Sequence, residues 1–96
     1  MTAKRPAATP TQLLDDEKVR ITRWDFAPGA ETGHHVHGMD YVVVPMTDLT
    51  LLLEEPEGSR TVTTPAGAAY RRDAGVEHNV INGGDAPMSF IEIEYK

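Results

Sequence analysis

Apolar positions along this chain recur at a spacing of two, in short runs broken by Gly, Pro and Asp. The last run is the clearest: Met88 to Tyr95 (M-S-F-I-E-I-E-Y) alternates residue by residue. Successive strand side chains point to opposite faces, so this alternation predicts a half-buried β-strand. Val19 to Ala27 (V-R-I-T-R-W-D-F-A) alternates more roughly but is rich in β-branched and aromatic residues, which suit a pleated surface. Tyr41 to Val44 is continuously apolar, the pattern of a strand covered on both faces. Leu49 to Glu54, Arg60 to Thr64, Ala68 to Arg72 and His78 to Asn82 complete a set of about seven strands. Turn residues separate them at Pro28-Gly29, Thr47-Asp48, Glu55 to Ser59, Pro65 to Gly67, Asp73 to Gly75 and Gly83 to Asp85. Short, evenly spaced strands without a long helical pattern predict an all-β sandwich or barrel.

The first residues do not follow this pattern. Residues 1–10 are mostly Ala, Thr and Pro and are expected to form a flexible arm, or an arm that adds a strand to a neighbouring subunit. Residues 11–96 then make one domain, the sensible division for 96 residues. Thr11 to Lys18 (T-Q-L-L-D-D-E-K) is expected as a short helical turn or an irregular lead-in.

Charge and composition narrow the partners. A formal charge of -6 argues against a nucleic-acid backbone or an anionic membrane surface. With no cysteine, any metal must take nitrogen and oxygen ligands. No apolar run approaches the roughly 20 residues of a membrane helix, and no apolar signal segment follows the early basic residues. A cytoplasmic protein is the expectation.

The four histidines carry the candidate chemistry. Three of them fall within His34–His37, between the turn at Pro28-Gly29 and the apolar strand at Tyr41. On an extended chain His35 and His37 share a face and His34 points away. Two imidazoles on one strand face hold a metal ion if a third ligand arrives from elsewhere, and His78 is the candidate. The competing reading is a solvated His-rich loop. No Ser-His-Asp spacing, phosphate-binding Gly loop or basic stripe is present.

The same residues carry a resemblance. Gly29, His35 and His37 are spaced as in the first half of the first cupin motif. Gly67, Asp73, Gly75, His78 and Asn82 resemble the second, with Asp73 where a proline is usual. The likeness runs from Val19 to Tyr95. It implies a double-stranded β-helix, the RmlC-like cupin jelly roll, whose mouth holds a divalent metal. In cupins three His and one acid commonly supply the ligands. That implies a metal at His35, His37 and His78, of the set Fe, Mn, Ni, Zn or Cu. It also implies a homodimer, as is common among small cupins. More narrowly, T-G-H-H-V-H-G-M-D-Y-V-V-V-P with G-V-E-H-N-V-I-N and F-I-E-I-E-Y-K resembles short bacterial cupins, some labelled beta-alanine degradation proteins. That label implies a link to amino-acid or polyamine catabolism and no particular reaction.

The chain departs from the motif at the acid. The acidic ligand is expected where Tyr41 and Val42 stand, and Asp40 comes one residue early. By strand parity Asp40 faces away from His35 and His37 unless Gly38-Met39 bulges. The fourth position is therefore open to Asp40, the Tyr41 phenol, His34, water or nothing, and Tyr41 and Asp40 are the candidates for proton transfer. The expected function is metal-dependent catalysis on a small organic acid or amine. The alternative is a metal-free cupin that binds or senses a small molecule. If Ala68 to Arg72 is a strand, one of Arg71 and Arg72 should point inward, which would favour a carboxylate, and the competing reading is a solvated arginine. Trp24, Phe26, Met39, Met46 and Met88 read as core or pocket filler, and Asn82 as the source of a structural hydrogen bond.

Overall fold

The computed structural model describes residues 4–96, and residues 1–3 of the expected arm lie outside the described residues. Among the described residues there are nine strands and no helix: β1 (Thr9–Asp15), β2 (Val19–Phe26), β3 (His35–Val36), β4 (Tyr41–Pro45), β5 (Leu49–Glu55), β6 (Gly58–Thr64), β7 (Tyr70–Arg72), β8 (Glu77–Asn82) and β9 (Met88–Tyr95). They form two antiparallel sheets, one in the order β1-β2-β9-β4-β7 and the other β3-β8-β5-β6. This is the all-β double-sheet architecture expected from the alternation, in the jelly-roll form that the cupin resemblance implies. No helix of the described residues is long and apolar enough to cross a membrane.

The core lies between the sheets. Phe26 and Leu49 are the most completely buried large side chains. Phe26 stacks obliquely on Phe90 at 5.5 Å between ring centroids, and Leu51, Leu53, Val43, Val80 and Met88 close around them. Met88 is core as expected, whereas Met46 is exposed, just past the end of β4. Sheet edges are managed by brevity and polarity: β3 and β7 have two and three residues, and β6 (G-S-R-T-V-T-T) is mostly polar.

The segment read as a helical turn or loose lead-in is strand β1. Eight residues cannot sustain a helix alone, whereas pairing with β2 from Thr9↔Asp25 to Asp15↔Arg20 satisfies the backbone at once. A register shift between Gln12 and Leu14 breaks the alternation there and hides the strand from a period-two reading. Just before it, Glu31 N–H donates to the Pro6 carbonyl at 2.9 Å and Ala8 N–H to the Glu31 carbonyl at 2.8 Å.

Two strand pairings set up the candidate site. In β3–β8, His35 lies directly opposite His78, so the two histidine segments meet across one ladder. In the other sheet, β4 sits between β9 and β7, and Tyr41 lies opposite Glu94 on one side and Arg72 on the other.

Candidate metal centre

His35, His37 and His78 converge at one end of the barrel, each offering a ring nitrogen, with these atoms within 4.8 Å of one another. The Nε2 atoms of His35 and His37 are 3.0 Å apart, and those of His37 and His78 are 3.1 Å apart. His37 and His78 are buried and His35 is half-buried. Gly75, in the left-handed region at φ 95, turns the chain so that its N–H donates to the His37 carbonyl at 2.7 Å. That bond and His37 N–H to the Val76 carbonyl hold the second motif's turn against the first motif.

The other ring nitrogens decide which atoms face the centre. His35 Nδ1 lies 2.8 Å from the Gly33 carbonyl, which only accepts, so Nδ1 carries the proton and Nε2 keeps its lone pair. His37 Nδ1 lies 3.4 Å from Glu92 Oε1, a looser contact in which an ionised Glu92 favours the same tautomer. His78 Nδ1 is buried and has no partner among the described residues, so the ring's polar contact is the one its Nε2 makes with His37. The result is two lone pairs facing each other at hydrogen-bond distance. They repel unless a proton or a cation lies between them. Burial and the neighbouring rings push His37 down to about 4 and His78 down to about 3 from the ordinary 6.5, so both are neutral at physiological pH. Neutral, converging imidazole nitrogens are the donor set that a divalent Fe, Mn, Ni, Zn or Cu ion accepts, and these residues fit such an ion.

Around the rings lies a small chamber of about 40 Å³, lined chiefly by apolar side chains together with Tyr41, Tyr70, Arg72 and Glu92. The Tyr41 ring stacks on His37 at 3.9 Å, and its hydroxyl is buried without a partner. Burial raises the Tyr41 phenol well above its ordinary value, so it stays protonated.

The remaining sequence candidates separate. Asp40 is exposed, and its Oδ1 accepts the Ala74 N–H at 2.8 Å, so it serves the turn before β8 and does not reach the histidines. Residues 37–40 lie between β3 and β4 with a bend at Met39, so the break between the two strands, and not strand parity, sets the direction of Asp40. His34 points away and pairs with Glu77 at 2.8 Å on the surface. Asn82 makes the expected structural bonds, its Nδ2 donating to the Ala86 carbonyl at 2.8 Å and its Oδ1 accepting the Gly84 N–H at 3.0 Å. Arg72 is the inward arginine, and Arg71 is exposed.

Glu92 was not singled out in the sequence. It is buried, accepts Trp24 Nε1–H at 3.1 Å, and is raised to about 7 by burial and by the charge of Glu94. Glu94 in turn holds Arg20 through two contacts of 2.9 and 3.2 Å. The signal was present in β9: Glu92 and Glu94 share the face of Met88 and Phe90, so two acids stand on the inward side of the alternation while Ile91 and Ile93 face out. Trp24, expected in the core, also lines the chamber beside Glu92.

No protein-family model matches the chain. The beta-alanine degradation protein BauB of Pseudomonas aeruginosa is 60% identical over 92 residues, covering 96% of this chain and 97% of that protein. The crystal structure of a cupin domain from Bordetella pertussis Tohama I is 57% identical, covers 99% of both chains and superposes with a TM-score of 0.96. The polyketide cyclase RemF from Streptomyces resistomycificus shares the fold at 20% identity, with a TM-score of 0.74 over 97% of this chain and 70% of that one.

Proposed function

The chain belongs to the cupins, in the family of BauB, and from that premise we propose that it is a metal-dependent enzyme acting on a small organic acid or amine in catabolism. The observation that supports this most is the convergence of the His35, His37 and His78 nitrogens, with Nε2–Nε2 distances of 3.0 and 3.1 Å. The name of the BauB relative, a beta-alanine degradation protein, favours a catabolic role. A divalent metal held by His35, His37 and His78 would supply Lewis acidity, or oxygen activation if it is iron. Around it the chain's own groups divide the work. Glu92 fixes the His37 ring, the apolar walls exclude water, and the Tyr41 hydroxyl donates a hydrogen bond to a substrate oxygen. Tyr41 is a donor and not a base, because its proton is held tightly. The protein would work in the cytoplasm as a homodimer.

The second reading is a metal-free cupin that binds or senses a small molecule. Two observations favour it: Tyr41 stands where the motif's acid is expected, and the donor cluster contains histidines only. A turnover screen of small acids and amines separates the two. Metal-loaded protein is compared with chelator-treated protein. Turnover that requires metal supports the enzyme, and tight ligand binding by metal-free protein without turnover in either state supports the sensor.

A further inference from the structure

The chamber contains donors that no side chain among the described residues satisfies. Arg72 lies opposite Tyr41 in the β4–β7 ladder, so the two side chains share the inward face. Arg72 is mostly buried, with 29% of its side chain exposed. Among the described residues its guanidinium makes no side-chain hydrogen bond, and its ion-pair contact is Glu55 Oε2 at the long distance of 3.9 Å. Glu55 is committed elsewhere, bound by Arg60 at 2.6 and 3.3 Å. Tyr41, the cross-strand partner of Arg72, has a hydroxyl that is buried and has no partner among the described residues. An arginine fork and a phenol hydroxyl from cross-strand partners that line one chamber of mostly apolar walls call for an acceptor of two lone-pair-rich oxygens.

Position adds a route. β7 and β6 are the outer strands of their respective sheets, so a seam runs between them. Tyr70 and Arg72 line both the inner chamber and a cleft of about 360 Å³ on that seam, along with Arg60, Val62 and Thr64. Arg72 therefore forms part of the wall between the histidines and a solvent-facing cleft. The inner volume of about 40 Å³ holds roughly three waters, which fits a ligand of a few heavy atoms and no branch.

We propose that Arg72 and Tyr41 form a carboxylate-binding subsite, so that the ligand of this chamber is a small unbranched carboxylate. The proposal deepens the functional reading above, in which an acid and an amine were equally admitted, and it rests on the same chamber. It does not require the metal, which makes the two separately testable.

The experiment titrates propionate, and propionamide as its neutral counterpart, into chelator-treated protein while following backbone and Arg Nε–H signals by NMR. Propionate should bind and shift the signals of Tyr41, Tyr70 and Arg72, and propionamide should bind at least about tenfold more weakly, the factor carried by one charged hydrogen-bonded contact. Arg72→Gln should lose propionate binding by at least about tenfold, Arg72→Lys should retain part of it, and Arg71→Gln, at the exposed neighbouring position, should leave it unchanged. Equal binding of acid and amide, unchanged binding in Arg72→Gln, or no propionate binding at all overturns the subsite. Metal content is measured on the same Arg72 variants. Loss of the metal site would leave the propionate result standing, and loss of the subsite would leave the metal result standing.

Discussion

Glu92 is the residue whose replacement tests the architecture of the centre most sharply without touching a ligand. It sits on β9, in the sheet opposite the β3–β8 pair, and meets His37 on the Nδ1 side, 3.4 Å from Oε1. Its second oxygen holds Trp24 Nε1 at 3.1 Å. A carboxylate there selects the tautomer that turns the Nε2 lone pair inward and makes the ring more basic. Loss of such a partner lowers metal affinity by about 10- to 100-fold, or about 1.4–2.7 kcal/mol. Glu92→Gln keeps the shape and an acceptor and should fall near the lower figure. Glu92→Leu removes the acceptor, leaves the half-buried Trp24 N–H unpaired, and should fall near the upper one. The assay is calorimetric titration of chelator-treated protein with Zn²⁺ and with Mn²⁺, beside thermal melts of the same metal-free variants. Affinity in Glu92→Leu within twofold of the parent, in a protein that still melts cooperatively, would falsify the positioning role.

Other consequences can be checked independently. In metal-free protein the pKa values of His37 and His78 are depressed to about 4 and about 3. The unfolded chain, with histidines near 6.5, then binds more protons than the folded one, so stability is complete above pH 6.5 and is lost as pH falls toward those values. Glu92, raised to about 7 from 4.5, acts in the opposite sense, contributing stability below pH 4.5 that is lost as pH rises through 7. Two histidines outweigh one carboxyl, so melts of chelator-treated protein should show Tm falling between pH 6.5 and 4, and a flat profile would contradict the buried neutral histidines. Asn82→Ala strands the Ala86 carbonyl and the Gly84 N–H and should cost about 2 kcal/mol or more in urea unfolding; a change under about 0.5 kcal/mol would dismiss the structural role. On the outward face, Leu14, Ile21, Ile93 and Val42 stand side by side across four strands. Sedimentation should find a dimer that Ile93→Glu shifts to monomer, and a parent that is monomeric at every concentration would refute dimerisation through this face.

The parts of this fold that were legible in the sequence share one physical basis. Where strict alternation holds, as in β9 and along His35 to His37, parity alone assigns faces. It assigned His35 and His37 to one side, as the structure has it, whereas Asp40 is kept off that side by the break between β3 and β4 and its bond to Ala74, which parity does not describe. The pairing of His35 with His78 needed the second motif, because a ladder contact 43 positions away leaves no local trace. β1 was missed because its register shift breaks the period and its polar residues lack a buried face. Glu92 was missed for a different reason. Alternation says which residues share a face but not which face is buried, and in β9 the inward side carries the acids and the outward side the isoleucines. Met46 was read as filler because it follows an apolar run, yet it lies just past the end of β4 and is exposed.

The central claim is that His35, His37 and His78 act together on one ion. Elemental analysis of untagged protein purified without chelator, beside His78→Ala, tests it most directly. The account predicts near-stoichiometric divalent metal in the parent and little in a variant that still folds. No metal in the parent, even after reconstitution with Fe²⁺, Mn²⁺, Ni²⁺, Zn²⁺ and Cu²⁺ in turn, or equal metal in parent and variant, would contradict it.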